Sequence, residues 1–531
     1  MRDFSTPLDM TGSALEGQRA VWIVAAISFL LFLIGNLPWQ LDDYDQAKQA
    51  FTSFEMIKEG HWVYQQTPHE RVATKPPLVG SVSAGLFAIT RSWEVSWRLP
   101  SLLAAIALSI LLFRAASSAY GSIAGLVAFS AFALNLLSPR LATLVRTDMP
   151  LALTIFLIGL LIWRKIRRQE EWKSRDRVCL FVLLTIAMLI KGPIVYAFLV
   201  PGIAFFQWRG RARPKPVLSE VEGGALHYSA WSGWWPWIAS LAVFLLWVGG
   251  GILFQPGFLD EVVMREFLGR FGETIHRPQP LYFYLPHLLH KFAPWSILLI
   301  AIAILDLASR RWKLGAAFRE MSPETLWLVC WSLGGLIVMS LIPSKRVDRI
   351  FPVIPPLCLL LAAQVASHWP CSHGSVSRHL TSVASDLTSP RPVATASAPT
   401  RIYRWTVAAL ILAVFFAGGY TTWKMFTGYW DHRDALAIFG RDVRREAEAH
   451  HWRYEVVSAK DEGLLLYLRK TRYIDPDGAI ASWNAGSLDA LVVSTEKAPT
   501  LMGQLRGATV SQLKSIERRK EQGTSYVLIT R

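Results

Sequence analysis

The stretch LDDYDQAKQA, residues 41–50, follows closely on the apolar run 21–34 and carries three aspartates, Asp42, Asp43 and Asp45. About thirty residues later come Lys75-Pro76-Pro77 and then Arg98-Leu99-Pro100. Carboxylates, a lysine and an arginine thus sit against long apolar segments, where ionisable groups are costly and usually functional. The pattern implies chemistry at a membrane surface: an acid–base group beside cations able to hold a phosphate.

Working outward, composition supports a membrane setting. Charged residues make up 18% of the 531 residues, below the roughly 25% of a soluble chain, and mean hydropathy is +0.31. Apolar runs recur, several of them near the 17–20 residues that span a bilayer. The spacing predicts eleven spans, at 20–37, 98–114, 119–137, 149–163, 178–190, 193–207, 235–254, 284–307, 324–342, 350–367 and 403–421. The first reads as a retained signal anchor, since no small-residue cleavage site follows it. Cys179, Cys330, Cys358 and Cys371 show neither metal nor disulfide spacing.

The net charge of +16 would suit nucleic acid if it were gathered on one surface. It is gathered instead in short loops: Arg164 to Arg177, Arg209 to Lys215, and Arg310 to Lys313. Short basic loops mark the cytoplasmic side, and nucleic acid is not an expected partner. With the N-terminus inside, eleven spans put all three loops inside. Counting 76–90 as a further span would turn them outward, so that segment is expected to lie at the outer interface. The outer face then receives 38–97, 138–148, 255–283, 343–349 and everything after about 421.

The expected organisation is a transmembrane catalytic domain over 1–367, a flexible Ser/Thr/Ala/Pro-rich linker over 368–402, a last transmembrane helix over 403–421, and a small soluble α/β domain over 422–531 on the outer side. The fold class is an all-α polytopic membrane protein with juxtamembrane interfacial helices and that C-terminal α/β domain.

The outer segments collect the unusual residues. One of the three aspartates is placed to act as a general base. Lys75 opens an apolar helix through Pro76 and Pro77; a cation at a positive helix terminus is awkward unless an anion sits there. Arg140, Arg146 and Asp148 precede the fourth span and offer a second carboxylate with arginines for a phosphate clamp. Lys191-Gly192-Pro193 reads as a tight turn. Glu273, His276 and Arg277 precede Tyr282-Phe283-Tyr284, which suits an aromatic belt. Lys345, Arg346 and Arg349 put three cations in a short outer loop, which suggests anion binding.

These residues, in this order, resemble the GT-C membrane glycosyltransferases, specifically the protein O-mannosyltransferase-like glycosyltransferase family 39 and the aminoarabinose transferases that modify lipid A. The resemblance covers about 20–367 and rests on the acidic motif, TKPP, SWRLPSLLAAIAL, RTDMPLAL, KGP, HRPQPLYFYLPHLLHKFAPW and SKRVDRIFPVIPP. It implies a GT-C fold. It places Asp45 on the family's catalytic aspartate, with Gln46 where Glu is more frequent, and Asp148 on its second outer acidic residue. Lys75 matches the lysine that holds the carrier phosphate, Lys48 falls where relatives can carry arginine, and Arg349 where some carry a tyrosine. Thr74 stands where the aminoarabinose transferases often have Glu, which weakens transfer of that sugar specificity.

The activity implied is inverting transfer of a sugar from a polyprenyl-phosphate carrier to an extracytoplasmic acceptor, whether lipid A, protein or glycan. Asp45 would act as base and Asp148 would shape the acceptor side. Lys75, Arg346, Arg349, Lys48 and Arg98 would hold the carrier phosphate, whose departure gains charge. Arg146, Glu273, His276, Tyr282 and Lys345 are candidate sugar or acceptor contacts. No metal site is assigned; a divalent ion is compatible with two converging carboxylates but not demanded. The expected location is a bacterial inner membrane with the site on the periplasmic face. The rival reading is a transporter or flippase of lipid-linked saccharides, which would favour internal repeats; the sequence shows none.

Overall fold

The computed structural model describes residues 8–41, 43–211, 230–270, 278–368, 398–457, 459, 461–516 and 525–531. Asp42, Glu273, His276, Arg277 and most of the expected 368–402 linker lie outside the described residues.

A bilayer offers no water to backbone amides, so apolar segments satisfy them internally as helices. In chain order these are α1 (Leu8–Ile34), α2 (Tyr44–Lys58), α3 (Leu78–Thr90), α4 (Trp93–Tyr120), α5 (Ser122–Ala133), α6 (Ser138–Ala142), α7 (Asp148–Arg168), α8 (Ser174–Lys191), α9 (Ile194–Arg211), α10 (Trp235–Phe254), α11 (Tyr284–Lys291), α12 (Trp295–Ser309), α13 (Leu314–Glu320), α14 (Pro323–Leu341), α15 (Ile354–Ser367) and α16 (Ala398–Trp430). A π-helical segment, Leu259–Phe267, follows α10, and a 3-10 segment, Val347–Val353, leads into α15. Among the described residues α4, α7, α10, α14, Val347–Ser367 and Arg401–Trp430 are long and apolar enough to cross a membrane. The protein is a multi-pass membrane protein.

Each expected span falls on a helix, with two departures. Span 284–307 is broken into α11 and α12, which meet at 104°; Pro294, at the break, has no N–H for a continuing helix. Span 119–137 is helical only over α5. Asn135 ends it, its side-chain oxygen accepting from the backbone N–H groups of Leu137 (2.8 Å) and Ser138 (2.9 Å) and so starting α6. α3 has 13 residues, about 20 Å of helix, too short to cross a roughly 30 Å core unaided.

Close helix contacts use small residues, as expected where lipid supplies no hydrophobic drive between helices. α9 and α14 approach so tightly that a Cβ on Gly334 would stand 2.6 Å from the backbone nitrogen of Gly202.

The C-terminal unit contains α17 (Ala435–Ala449), β1 (Tyr454–Val456), α18 (Glu462–Leu468), α19 (Pro476–Asn484), β2 (Ala490–Ser494), α20 (Ala498–Met502), β3 (Thr509–Lys514) and β4 (Tyr526–Thr530). Its sheet runs β1-β2-β4-β3, parallel between β1 and β2 and antiparallel elsewhere. The β3 strand, with its exposed and interrupted pattern, has no clear signature in the sequence.

This unit shares a core with the membrane-boundary helices. Leu436, Phe439, Val443 and Leu464 to Leu468 pack with Leu41, Phe51, Phe54, Trp93 and Trp97. Each large apolar side chain buried there contributes about 1.5–3 kcal/mol. The Leu41 amide donates to the Tyr467 hydroxyl at 2.8 Å. A Cβ on Gly463 would collide with the Leu41 carbonyl, so α18 sits against the chain just before α2. Thr471 donates to Glu59 (2.7 Å) and Arg472 to Glu70 (2.9 Å), extending the seam.

Candidate active site

α2 is amphipathic and opens at the acidic motif. Asp43 caps it, accepting from the Asp45 amide at 3.1 Å, and a carboxylate in the first turn suits the positive helix terminus. Asp45 therefore faces the junction of α6 and α7 at a fixed depth. Gln46, the departure from the family pattern, is buried, and its side-chain oxygen accepts from the Val145 amide at 3.2 Å. That bond ties α2 to the loop carrying Arg146, and an amide can stay buried there without the cost of a charge.

A cavity of about 650 Å3 opens at this junction. Asp45, Asp148, Lys48, Lys75, Arg146, Arg346 and Arg349, all singled out from the sequence, line it. Arg346 donates to Asp45. Arg146, only 6% exposed, donates to Asp43 and to Asp348 (2.7 Å), lies 3.7 Å from Asp45, and so gathers three carboxylates. Arg140 stands 3.6 Å from the other oxygen of Asp348. Asp148, the first residue of α7, pairs with Lys191, the last residue of α8, and both charges suit their helix ends.

Two cations are left without a carboxylate. Lys48 donates to the Thr74 hydroxyl at 2.9 Å, and among the described residues Lys75 has no ion pair. A glutamate at position 74 would neutralise Lys48, whereas Thr74 leaves its charge available to an anion. Burial lowers the Lys75 pKa; Asp45 partly offsets this, Lys48 and Lys191 add to it, and the group stands at about 8. Burial acts against ionisation of Asp45 too, but Lys75, Arg346 and Arg146 outweigh it and hold the carboxyl at about 2.

The C-terminal unit reaches the same cavity through Glu462, the first residue of α18. Glu462 is buried, and its Oε2 has no hydrogen-bond partner among the described residues. Burial raises its pKa, with Lys48 acting in opposition. The π-helical segment adds Glu261, Arg265 and Glu266 to the lining.

Three of the remaining sequence assignments are not in this cavity. Arg98 is buried, donates to Glu94 one turn earlier (2.7 Å) and lies over the Trp39 ring at 5.1 Å, so it fastens α4 to the segment before α2. Lys345 donates to the Gln279 carbonyl at 2.8 Å, and Tyr282 is exposed on a short 3-10 turn. Glu273 and His276 lie outside the described residues. The sequence reading missed Lys191, Asp348 and Glu462. Lys191 was taken for part of a turn, although a lysine closing an apolar helix is itself a signal.

The donors present do not suit a divalent metal. Asp45 and Asp148 are each paired with a cation, and among the described residues no group of three His, Cys, Asp or Glu side chains is placed to hold a metal ion.

Residues 74–237 match the dolichyl-phosphate-mannose-protein mannosyltransferase family. The chain is 27% identical over 374 residues to undecaprenyl phosphate-alpha-4-amino-4-deoxy-L-arabinose arabinosyl transferase 1 of Sodalis glossinidius, covering 65% of this chain and 58% of that one. It is 24% identical over 351 residues to the corresponding transferase of Photorhabdus laumondii, covering 63% and 57%. The chain thus spans less than two thirds of the length of the curated relatives it matches. The crystal structure of ArnT from Cupriavidus metallidurans bound to undecaprenyl phosphate superposes with a TM-score of 0.64 at 17% identity, covering 96% of this chain and 97% of that one.

Proposed function

We propose that this chain, whose fold is that of the GT-C glycosyltransferases, transfers one sugar from a polyprenyl-phosphate carrier to an acceptor at the outer face of a bacterial inner membrane. Among acceptors, a phosphate on lipid A fits best. The carrying observation is Lys75: a cation without a carboxylate partner among the described residues, at the boundary of an apolar bundle, with Asp45 and Asp148 lining the same cavity.

In this reading Lys75 and Lys48 receive the carrier phosphate, and Arg346 and Arg349 complete its oxygen contacts. As the bond from phosphate to anomeric carbon breaks, charge grows on the phosphate oxygens, and positioned cations stabilise that growth more than the ground state. Asp45 stands beside them. A carboxylate held at about 2 is a weak base for a hydroxyl, because proton transfer is most efficient when donor and acceptor pKa values lie near the working pH. It is well suited to orient an acceptor that is already an anion, through Arg346 and Arg146. This favours a phosphate acceptor over a serine or sugar hydroxyl, and the same reading accommodates the aminoarabinose transfer named in the relatives. Asp148, neutralised by Lys191, shapes the opposite wall. Glu462 offers an unfilled acceptor to a hydroxyl or ammonium of sugar or acceptor.

The test is direct. Purified protein in lipid nanodiscs, given undecaprenyl-phosphate 4-amino-4-deoxy-L-arabinose and lipid A, should release undecaprenyl phosphate and lengthen lipid A by one residue. Saccharide crossing the bilayer with its phosphate bond intact would support transport instead. Release of the carrier with a protein or glycan labelled, and lipid A untouched, would move the acceptor assignment.

A further inference from the structure

At the other end of α7 from Asp148 lies a second cavity, of about 330 Å3, lined by Arg114, Ser118, Trp163, Arg164, Arg167 and Arg168. α7 has 21 residues, so its two ends stand about 30 Å apart, one hydrocarbon thickness. Trp163 is 1% exposed, and its indole N–H has no hydrogen-bond partner among the described residues. Arg167 is engaged: it donates to the Ser118 and Ala119 carbonyls (3.2 and 3.3 Å) at the end of α4, lies over the Trp163 ring at 5.5 Å, and stands 3.6 Å from Glu324. Arg168 is 3.7 Å from Glu170. Arg114 and Arg164 are exposed and, among the described residues, carry no ion pair.

Positive charge in a short loop is enough to orient a membrane protein. It does not require a recess, a buried indole donor, or arginines brought together from two helices. In the basic segment Arg310 to Lys313, by contrast, Arg310 is already paired with Glu320.

We propose that this second cavity binds the phosphate of an anionic phospholipid in the leaflet opposite the acidic cavity. Arg114 and Arg164 supply planar forks that match phosphate oxygens. The buried Trp163 ring forms an apolar floor to the recess and carries Arg167 above it. Basic pockets between transmembrane helices take such headgroups. A soluble phosphate offers the same oxygens, and the experiment separates the two sources.

Full-length protein in detergent is titrated with phosphatidylglycerol and, separately, phosphatidylcholine, with occupancy read by native mass spectrometry. Phosphatidylglycerol should bind more tightly. Arg114→Gln and Arg164→Gln should each weaken it about 5-fold and leave phosphatidylcholine unchanged. Arg164→Lys, which keeps the charge but loses the fork, should give a smaller loss. Removing the same charge elsewhere, by Arg311→Gln with Lys313→Gln, should leave binding intact. Inorganic phosphate that binds with the same arginine dependence, while phosphatidylglycerol shows no preference, assigns the site to a soluble phosphate and overturns the lipid. A loss in the Arg311→Gln, Lys313→Gln variant as large as in Arg114→Gln or Arg164→Gln reduces the effect to net charge and overturns the site. Lipid-free melting temperatures, expected to match the wild type, separate either result from misfolding.

Discussion

The two ends of α7 solve opposite electrostatic problems. At the Asp148 end, charges of both signs are buried together, and Arg146 alone serves Asp43, Asp45 and Asp348. At the Arg168 end the cations outnumber the carboxylates Glu170, Asp176 and Glu324 that pair with some of them, and most of the charge faces outward. Buried ions must be matched by partners because the low-dielectric surroundings do not screen them, whereas exposed ions are solvated and individually contribute little. Interlocking therefore marks the end proposed for the chemistry. What distinguishes the cations there is which of them the lock leaves over.

That contrast can be broken most forcefully at the catalytic end. Asp45→Asn should lower turnover by about 100-fold, the cost of a misplaced acceptor, while the protein still folds; steady-state kinetics on nanodisc-embedded protein would show it, and unchanged turnover would remove Asp45 from the mechanism. Arg146→Ala comes next, with an expected loss of about 3–5 kcal/mol of stability, since it breaks the buried Arg146–Asp348 pair. Its melting temperature, set beside that of Arg164→Gln, tests the comparison itself: the latter should move by no more than about 2 °C.

Lys75 sharpens the contrast through pH. Its free-state pKa of about 8 lies below the ordinary lysine value, and an incoming phosphate favours the charged form and raises it. Binding above pH 8 therefore takes up a proton. Affinity for undecaprenyl phosphate should be level below about pH 8 and fall by up to tenfold per unit above it, as titration calorimetry in two buffers would reveal. Lys75→Met should abolish that slope. The smallest effect expected at this end is at Glu462: Glu462→Gln should raise KM about tenfold through a weakened charged hydrogen bond, with the affinity for undecaprenyl phosphate alone unchanged.

Much of this was legible before the structure. Apolar run length located the helices because backbone amides leave a membrane segment no alternative. Asp45, Lys75 and Asp148 stood out because ionisable groups beside apolar spans are rare. Arg98 was misjudged on that same ground; its spacing from Glu94, one helical turn, already pointed to an internal pair. Asp348 sits among three cations in SKRVDR, and its part in holding Arg146 needed the long-range contact to be seen. Glu462 had no signal at all. A glutamate at the start of a short helix reads as ordinary capping, and only the packing of α18 against α2 brings it to the cavity.

That packing has a consequence for how the protein comes into being. Leu41 and Tyr467, joined by a hydrogen bond, are 426 positions apart in the chain. The ribosome thus delivers the two walls of the cavity at widely separated times. Until α17 and α18 have emerged and settled onto α2, Phe54 and Trp97 lack their cover and the cavity lacks Glu462. A half-made chain cannot hold a finished cavity: on this architecture the proposed site is whole only once α18 has docked against α2.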